Sequence, residues 1–316
     1  MRIIGTGSAT PKLVVTNKML ENFLDTSDEW IQTRTGIVER RLLTTEDLTE
    51  LATKASQNAI KDAGISASDL DFIICSNVAN NYVTPGLGCI LQGEIGASCP
   101  TIDINAACTG FIYALDIAES FFKAKEDINN VLIICAEQPS RYTNWRERDT
   151  CILFADAAAA VVVTRGGNLK ATHLTTTCKV EPLYYQRALE PTPYNLKPEG
   201  NAPLVMNGKD VYKLAISASI SDIKAVLKKA EITADEVDKF VLHQANIRII
   251  ETIRLKLNQP EEKFPHNIQH YGNTSSATIP LLLDELKKSG ALKEGETLVF
   301  SAFGAGFTTG ACVIKW

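Results

Sequence analysis

Cys108 is the cysteine whose surroundings best suit covalent chemistry. The chain has eight cysteines, and no two of them form a CxxC pair, which argues against a zinc site or a redox dithiol. Several lie in apolar runs such as FIICS, VLIICAE and GACVI, where a free cysteine packs as a small hydrophobic residue. Cys108 instead follows a β-like run that ends near Asn105 and precedes a helix that begins near Thr109. Because a helix start favours a thiolate, the sequence predicts a nucleophile with a lowered thiol pKa.

His243 and Asn273 stand at similar junctions later in the chain. His243 ends the apolar run DKFVLH before the helix-like QANIRIIETIRLKL, and Asn273 lies in HYGNTSSATIPLLLDELKKSG before another helix. Taken alone, each residue suits a structural role, as a hydrogen-bonding histidine or a helix cap. The order Cys, His, Asn also occurs in papain-like proteases. The papain signature around the nucleophile is absent here, and so is a disulfide-rich secreted setting.

The elements that must position these residues occur twice in the chain. KDAGISASDLDFIICSN at 61 to 77 resembles KKAEITADEVDKFVLHQ at 228 to 244, and Asp71 matches Asp238 at an offset of 167 residues. VLIICAE at 131 to 137 likewise answers TLVFSAF at 297 to 303, at an offset of 166. An offset of 165 places Asn273 over Cys108. The repeat predicts two similar halves that pack on one another, with these two turns facing each other across the joint.

Each copy contains an amphipathic helix, an acidic turn and continuous apolar β-runs, which predicts an α/β fold with strands covered by helices on both faces. We place the first half, with the nucleophile, at 1–165 and the second half at 166–316. The segment from Arg165 to about Gly208 fits neither copy and carries several prolines. It is therefore predicted to be a partly irregular connection.

Bulk composition narrows the class of protein. The chain has 316 residues, of which 45% are hydrophobic, and its net charge of −5 offers no basic field for nucleic acid. No uncharged stretch is long enough to span a membrane, and the first residues do not resemble a signal peptide. The sequence therefore predicts a globular cytoplasmic protein that binds neither nucleic acid nor membrane.

Several motifs resemble those of the β-ketoacyl-acyl-carrier-protein synthase III family, the initiating condensing enzymes of bacterial fatty-acid synthesis. They are Cys108 in its context, HQAN at 243 to 246, YGNTSSATIP at 271 to 280, TSDEWIQTRTGIVERR at 26 to 41 and AFGAGFTTG at 302 to 310. The resemblance implies the thiolase fold, an internally duplicated five-layered αβαβα sandwich, and a homodimer. It implies an acyl-CoA and a malonyl-acyl-carrier protein as substrates, with no metal and no other cofactor.

The resemblance also implies a role for each reaction-centre residue. Cys108 would take the acyl group from coenzyme A, and malonyl-carrier protein would then decarboxylate and attack the acyl-enzyme. His243 and Asn273 would donate hydrogen bonds to the malonyl thioester oxygen, which requires a proton on the histidine nitrogen that faces the substrate. The main-chain N–H groups of Cys108 and Ala305 would form the oxyanion hole.

Further residues follow from the same match. The coenzyme A site would contain Thr26, Trp30, Arg34, Arg148, Gly208 and Asn246, and the carrier-protein surface would contain Arg248, Lys256 and Lys213. Thr84 and Phe154 would line the acyl pocket. Thr84 stands where relatives often have a bulky aromatic residue, so we expect primers longer or more branched than acetyl.

Three alternatives remain at this point. A relative recruited to secondary metabolism would use the same three residues on an unusual acyl group. A thiolase would need a second cysteine as base, and Cys312 lies in a strand-like run. A non-catalytic binding protein on the same fold would form no acyl-enzyme.

Overall fold

A computed structural model describes residues 1–78, 80–186, 192–194 and 203–316. Two mixed sheets form its frame. The first contains β1 (Arg2–Ala9), β4 (Phe72–Ser76), β5 (Thr101–Ile104), β6 (Asn130–Glu137) and β7 (Ala157–Thr164). The second contains β8 (Leu169–Lys179), β11 (Lys239–Leu242), β12 (Thr297–Gly304) and β13 (Gly306–Lys315). Two small ribbons pair β2 (Leu13–Thr16) with β3 (Glu39–Leu42), and β9 (Leu183–Tyr184) with β10 (Val205–Met206).

The helices lie in three layers around the two sheets. The central layer consists of α5 (Gly110–Ala124) and α10 (Thr278–Lys288), and each of them contacts strands of both sheets. On the outer faces, α3 (Leu48–Ala63) and α4 (Leu87–Glu94) cover the first sheet, and α7 (Gly208–Lys229) covers the second with α8 (Ile247–Leu257) packed beside it. The short helices are α1 (Asn17–Leu20), α2 (Asp28–Thr35), α6 (Arg148–Cys151) and α9 (Ile268–Tyr271). This arrangement is the predicted αβαβα sandwich.

Alternation along the strands explains the layers. In β6, Val131 and Ile133 face the central helices, whereas Leu132 and Ile134 face α3, and all four are fully buried. Because both faces of the strand are buried, the sequence is continuously apolar instead of alternating. The central core draws residues from both sheets and both central helices, so one hydrophobic core joins the two halves.

The duplication is confirmed in the strand order. The first sheet runs β1-β7-β6-β4-β5, and the second repeats the first four strands of this order as β8-β13-β12-β11. The Asp71 carboxylate accepts hydrogen bonds from the N–H groups of Asn129 and Asn130, and the Asp238 carboxylate accepts one from the N–H of Thr297. The two acidic turns therefore hold neighbouring strands in the same way.

Two details of the predicted repeat are wrong. Phe72 pairs with Val131 and Lys239 with Leu298, so the offset is 167 at β6 and β12 as well, not 166. The stretch from Leu169 to Lys179 is no irregular connection, because β8 pairs with β13 just as β1 pairs with β7. The sequences of β1 and β8 share no pattern, so only the pairing shows that they correspond. Much of the proline-rich part of the predicted connection lies outside the described residues.

The N-terminal segment between β1 and α3 covers one end of the contact between the two halves. It carries β2, α1, α2 and β3, and its buried side chains pack on Ile152 and Ile268. Ser27 caps the start of helix α2, where its hydroxyl accepts from the N–H of Trp30 at 3.1 Å, and Gly36 caps its end in a left-handed conformation. These caps fix Trp30 and Arg34 on one short helix. Among the described residues, none of the helices has the length and apolar character that a membrane crossing requires.

Candidate active site

Cys108 lies in a 3₁₀ turn, Ala107–Thr109, between β5 and α5. Ala107 has a φ of 48°, and the Asn105 side chain accepts from its N–H at 3.1 Å. From the second half, the Thr308 hydroxyl donates to the carbonyl of Ala106 at 2.9 Å, and the Thr109 hydroxyl donates to the carbonyl of Thr308 at 3.0 Å. The turn that presents the thiol is thus held by contacts from both halves.

The predicted lowering of the thiol pKa is wrong for the chain without a bound substrate. Burial raises the pKa of Cys108 to about 12, and a hydrogen bond with the Ser275 side chain opposes this shift. Cys108 is only partly covered, and it lines two cavities. Desolvation therefore outweighs the helix start at this position. The thiol of the free chain is therefore protonated at physiological pH.

His243 follows β11 and is 2% exposed. Its Nδ1 lies 2.7 Å from the Thr278 hydroxyl, and its ring packs edge-on against Phe303. The same hydroxyl lies 3.1 Å from the carbonyl of Ser275. The hydroxyl has one proton: donated to the carbonyl, it leaves the ring proton on Nδ1, and donated to Nδ1, it leaves the ring proton on Nε2. Burial lowers the pKa of His243 to about 3, so the ring is neutral at physiological pH.

Asn273 lies in a segment that is clamped to the first half. Its N–H donates to the carbonyl of Leu153 at 2.8 Å, and its carbonyl accepts from the N–H of Ala155 at 3.0 Å. Its side-chain Oδ1 accepts from the N–H of Ser275 at 2.9 Å. Since Oδ1 is engaged in this way, the amide nitrogen is the group left to donate to a ligand.

The residue match between the two turns differs from the predicted one. Ala107 and Ser275 are the two left-handed residues that open the 3₁₀ turns, and they lie 168 residues apart. Asn273 therefore corresponds to Asn105, which makes the same side-chain contact, and Cys108 corresponds to Ser276. The prediction that Asn273 matches Cys108 itself is wrong by three residues. The prediction that the two turns meet at the joint is confirmed by the contacts between them.

Two cavities meet at Cys108. The smaller, about 100 Å³, is lined by Cys108, His243 and Asn273 together, and Gly208, Asn246 and Phe154 also line it. The larger, about 360 Å³, extends from Cys108 past Ala305 and Phe154 and is rich in aromatic side chains. Its aromatic lining residues are Tyr142, Phe154, Tyr184 and Tyr185. A reacting group at the thiol therefore has room on two sides.

The predicted coenzyme A residues form a group at the surface. The Arg148 guanidinium lies 4.6 Å from the centre of the Trp30 ring, and that of Arg34 lies 5.8 Å from it. The Asn246 side chain donates to the carbonyl of Arg34 at 3.0 Å, which connects this group with the smaller cavity. The Thr26 hydroxyl is buried, and none of the described residues bonds to it. The structure thus brings all of these residues to one side of the molecule.

The residues predicted for carrier-protein docking and for the acyl pocket lie in different parts of the structure. Arg248 lies over the ring of Tyr212 at 5.8 Å, and Tyr212, Lys213, Lys224 and Lys256 line an open groove of about 620 Å³ between α7 and α8. Thr84 is exposed, and within one chain it lines neither cavity that contains Cys108. Phe154 lines both cavities. Across the described segments, acidic, cysteine and histidine side chains form no cluster that could hold a metal ion.

Sequence reasoning missed the polar residues behind the nucleophile. Ser275, Ser276 and Thr278 lie inside the YGNTSSATIP motif, but only Asn273 was singled out from it. Glu137 ends the apolar strand β6 and is fully buried, with its carboxylate bonded to Ser276 at 2.6 Å. An acidic residue at the end of a wholly apolar run was the available signal for it.

Comparisons with known proteins agree with this geometry. The model described as 3-oxoacyl-[acyl-carrier-protein (ACP)] synthase III matches residues 102–181, and the C-terminal model of the same name matches residues 227–316. A synthase III of Aquifex aeolicus is 42% identical over 100% of this chain and 99% of its own length. One of Clostridium acetobutylicum is 40% identical over 100% of this chain and 98% of its own.

Comparison with solved structures agrees with the comparison of sequences. The crystal structure of 3-oxoacyl-[acyl-carrier-protein] synthase III from Aquifex aeolicus superposes with a TM-score of 0.92 at 41% identity, covering 100% of this chain and 99% of that one. The Thermus thermophilus enzyme gives 0.93 at 34% identity, covering 100% and 99%. Fold and site together define a condensing acyltransferase of the thiolase fold. Within that class, the chain belongs to the β-ketoacyl-[acyl-carrier-protein] synthase III family.

Proposed function

We propose that the chain condenses an acyl-CoA primer with malonyl-acyl-carrier protein, with loss of CO₂, to give 3-oxoacyl-carrier protein and so initiate fatty-acid synthesis. The observation that carries the proposal is the meeting of Cys108, His243 and Asn273 in one cavity. Gly208 and Asn246 line the same cavity on the side of the Trp30 group, as a pantetheine channel requires. Reliance on coenzyme A thioesters would place this reaction in the cytoplasm.

In the first step, Cys108 attacks the primer thioester, and coenzyme A leaves. Arg148 would move away from the Trp30 ring, on which it stacks at 4.6 Å, to bind the adenine between them, and Arg34 would meet the phosphates. Thr26 lies beside this group and would offer its unpaired hydroxyl once the same movement exposes it. Gly304, the residue before Ala305, lies so close to the Cys108 turn that a Cβ there would be 2.7 Å from the Cys108 nitrogen. This closeness supports an oxyanion hole built from the N–H groups of Cys108 and Ala305.

In the second step, His243 and Asn273 would stabilise the enolate that decarboxylation of the malonyl group produces. A neutral imidazole that donates from Nε2 and an amide that donates from nitrogen place two donors on one oxygen. This role requires the Thr278 hydroxyl to donate to Nδ1, so that Nε2 carries the ring proton, whereas the N–H of Ser275 already occupies the Asn273 oxygen. The enolate carbon would then attack the acyl group on Cys108.

The larger cavity would hold the primer. Water occupies about 30 Å³ per molecule in the liquid, and a methylene group is of similar size, so a cavity of about 360 Å³ exceeds the needs of an acetyl group. This size supports primers longer or more branched than acetyl. Phe154 is 6% exposed and would contact the acyl chain next to the thiol.

The groove between α7 and α8 would bind the carrier protein. Lys213, Lys224 and Lys256 are exposed around it, and Arg248 stands nearby over Tyr212. A cationic groove on a chain with a net charge of −5 suits an acidic partner through electrostatic steering. Its position beside Asn246, which caps α8, would direct the phosphopantetheine arm into the smaller cavity.

We also propose a homodimer formed through the open edge of the first sheet. Within the part of the chain that the structure describes, strand β5 pairs with a strand on one side only, and Ile102 on it is 43% exposed. Tyr82 and Val83, next to Thr84, are 58% and 75% exposed. An exposed edge strand beside large apolar side chains favours pairing with a second chain. Thr84 would then line the acyl pocket of the partner subunit.

Intact-mass analysis after incubation with acyl-CoA tests the first step. The wild type should gain the mass of one acyl group. Cys108→Ser should carry no acyl group that remains after coenzyme A is added. Competition among acetyl-, isobutyryl- and octanoyl-CoA then tests the primer size. Release of CO₂ from malonyl-carrier protein tests the second step. An adduct that persists in Cys108→Ser, or strict preference for acetyl-CoA, would contradict the corresponding part of the proposal.

A further inference from the structure

A hydroxyl group in the wall of the larger cavity is unpaired, and the steps above do not use it. Tyr142 is 6% exposed and lines this cavity together with Cys108. Within the described part of the chain, no group donates a hydrogen bond to its phenol oxygen or accepts one from it. A buried polar group without a partner is rare and costs free energy, which points to a partner that comes from outside the chain.

The Tyr142 oxygen faces open space instead of the closed core. Across the described residues, unpaired polar atoms that are sealed from solvent occur in Thr150 and Thr274, for example, but the Tyr142 oxygen is not among them. Of the cavities described above, Tyr142 lines only the larger one. The space in front of the hydroxyl is therefore the space beside Cys108, where the acyl group of an acyl-enzyme would lie.

The backbone and a neighbouring ring hold Tyr142 in one position. It caps the 3₁₀ turn Pro139–Arg141 that follows β6, where its N–H donates to the carbonyl of Pro139 at 3.2 Å. Its own carbonyl accepts from the N–H of Leu204 at 2.6 Å, and its ring stacks on that of Tyr185 with the centroids 4.7 Å apart. A hydrogen-bonding group that is held in this way loses little freedom when a ligand binds, which favours specificity.

The cavity gives this hydroxyl a poorly solvated setting. Much of the wall is apolar and consists of Val78, Phe154, Leu183 and Leu204. Burial raises the pKa of the Tyr142 phenol, and negative charge on Glu137 or Cys108 adds to the shift, so the hydroxyl keeps its proton at physiological pH. In such surroundings a hydrogen bond from the phenol to a ligand is strong, and an unpaired phenol is costly.

We propose that the Tyr142 hydroxyl selects acyl primers that carry an oxygen substituent, a hydroxyl or keto group, on the acyl chain. The inference deepens the proposed function and rests on it, because the primer enters this cavity as the acyl group of Cys108. A plain alkyl primer would cover the phenol and leave it unpaired, whereas an oxygen substituent would pair with it. Tyr142 would therefore determine which primer is taken, without a part in bond making or breaking.

Internal competition between primers of matched length tests the proposal on the full chain. Butyryl-CoA competes with 3-hydroxybutyryl-CoA, and hexanoyl-CoA competes with 5-hydroxyhexanoyl-CoA, each pair at equal concentrations and in excess over the enzyme. The members of a pair differ by one oxygen atom, so intact mass counts both adducts on Cys108 in the same spectrum. Their ratio at early times equals the ratio of kcat/KM for acylation.

In at least one pair the wild type should favour the hydroxylated primer, and Tyr142→Phe should lower that preference by about 5- to 20-fold, because one buried hydrogen bond is then not made. The variant keeps the ring that stacks on Tyr185. Tyr113→Phe is the matched control, since the Tyr113 hydroxyl contacts Thr175 and Thr176 on β8 and Tyr113 lines neither cavity at Cys108. This variant should keep the preference of the wild type.

Equal preference in the wild type and Tyr142→Phe for both pairs would overturn the proposal, and so would an equal loss in Tyr113→Phe. The wild type alone keeps the test decisive if Tyr142→Phe fails to fold. If it prefers the plain primer in both pairs, the cavity offers no partner for a buried oxygen, and the proposal is wrong. If no primer acylates Cys108, the proposed function fails and this inference with it, so the two failures are distinguishable.

Discussion

The two halves of the molecule contain the same 3₁₀ turn where they meet, but the residues at the two turns differ in chemistry. In the first half the turn carries Cys108, and in the second half the corresponding residue is Ser276. Helix α5 begins with Gly110 after the first turn, and α10 begins with Thr278 after the second. The strand end beside Gly110 is Ser76, and the one beside Thr278 is His243.

The strands that cross behind the turns differ as well. Strand β6 ends in Glu137, next to Ser276, whereas β12 ends in Gly304, next to Cys108. Ser76 donates to Ser276 at 3.1 Å, and by the two-fold relation this pair is the counterpart of His243 and Cys108. Each half thus supplies what the other lacks. A duplicated fold thus forms one asymmetric reaction centre. Hydroxyl and carboxyl groups fill the space at the second turn, and the first turn keeps open space beside Cys108.

Filling that space should have the largest effect. In Gly304→Ala the new Cβ would be 2.7 Å from the Cys108 nitrogen and 3.0 Å from the Ala107 side chain. Displacing the nucleophile by about 1 Å can cost about 100-fold in rate, so we expect acylation to slow by at least that factor. The rate of adduct formation by mass measures it. Gly93→Ala, on α4, where a Cβ meets no atom within 4 Å, should acylate normally, and equal rates for the two variants would contradict the comparison.

Removing the support of His243 should have the next largest effect. In Thr278→Val the hydroxyl that contacts Nδ1 is lost, so the imidazole loses the contact that orients it and selects its tautomer. A positioned acid–base group contributes about 100- to 10,000-fold, and loss of the contact behind it removes part of that, so we expect CO₂ release from malonyl-carrier protein to fall by about 10- to 100-fold. Acylation of Cys108 by acyl-CoA serves as the internal control and should change little. A similar loss in both steps would show that the turn itself had collapsed.

Glu137→Gln should change how stability depends on pH. The native carboxyl pKa of about 7 lies above its ordinary value of 4.5, so the folded state binds the proton more tightly, and stability falls as pH rises through that window. At 1.4 kcal/mol for each pKa unit, up to about 3 kcal/mol is lost between pH 4.5 and pH 8.

The variant has no such group. The difference in free energy of unfolding between variant and wild type should therefore shift in favour of the variant by about 1 to 3 kcal/mol between pH 5 and pH 8. Urea unfolding at the two pH values measures it. Glu94→Gln, at an exposed position on α4, should show no such shift. A difference that is the same at both pH values would contradict the burial argument.

The smallest effect is expected at the counterpart of His243. Ser76→Ala removes one buried hydrogen bond, to Ser276, which is worth about 1 kcal/mol. Thermal melting should detect this loss, and steady-state condensation should stay within about three-fold of the wild type. A drop in rate as large as that of Thr278→Val would mean that the two strand ends are chemically equivalent, contrary to the comparison.

Much of this architecture could be predicted from the sequence because both copies of the repeat keep the residues that hold neighbouring strands together. Asp71 and Asp238 both tie neighbouring strands together, so the acidic turn survived in both copies and revealed the duplication. The continuous apolar runs predicted strands buried on both faces. Cys108, His243 and Asn273 could be singled out because each lies shortly before the start of a helix, a position where side chains converge.

Other features could not be predicted, for physical reasons. Strand β8 repeats β1 through backbone pairing, which constrains residue type weakly. The offset of the repeat rises from 167 at the strands to 168 at the turns because one extra residue lies between β11 and the second turn, so matching the strands does not fix the residue match at the turns. The thiol pKa depends on burial by side chains from both halves, which no local motif reveals. The partner of Glu137 is 139 positions away, so only the folded chain identifies it.

The central layer of helices has a consequence for how the chain folds. Since α5 and α10 contribute to one core with strands of both sheets, neither half buries its inner face without the other. If the chain were divided near residue 165, each fragment would expose this apolar surface. We therefore expect the whole molecule to unfold in one cooperative transition. The most slowly exchanging amides should then lie in β6 and β12, the strands whose ends lie beside the two turns. The reaction centre would stand where the chain opens last.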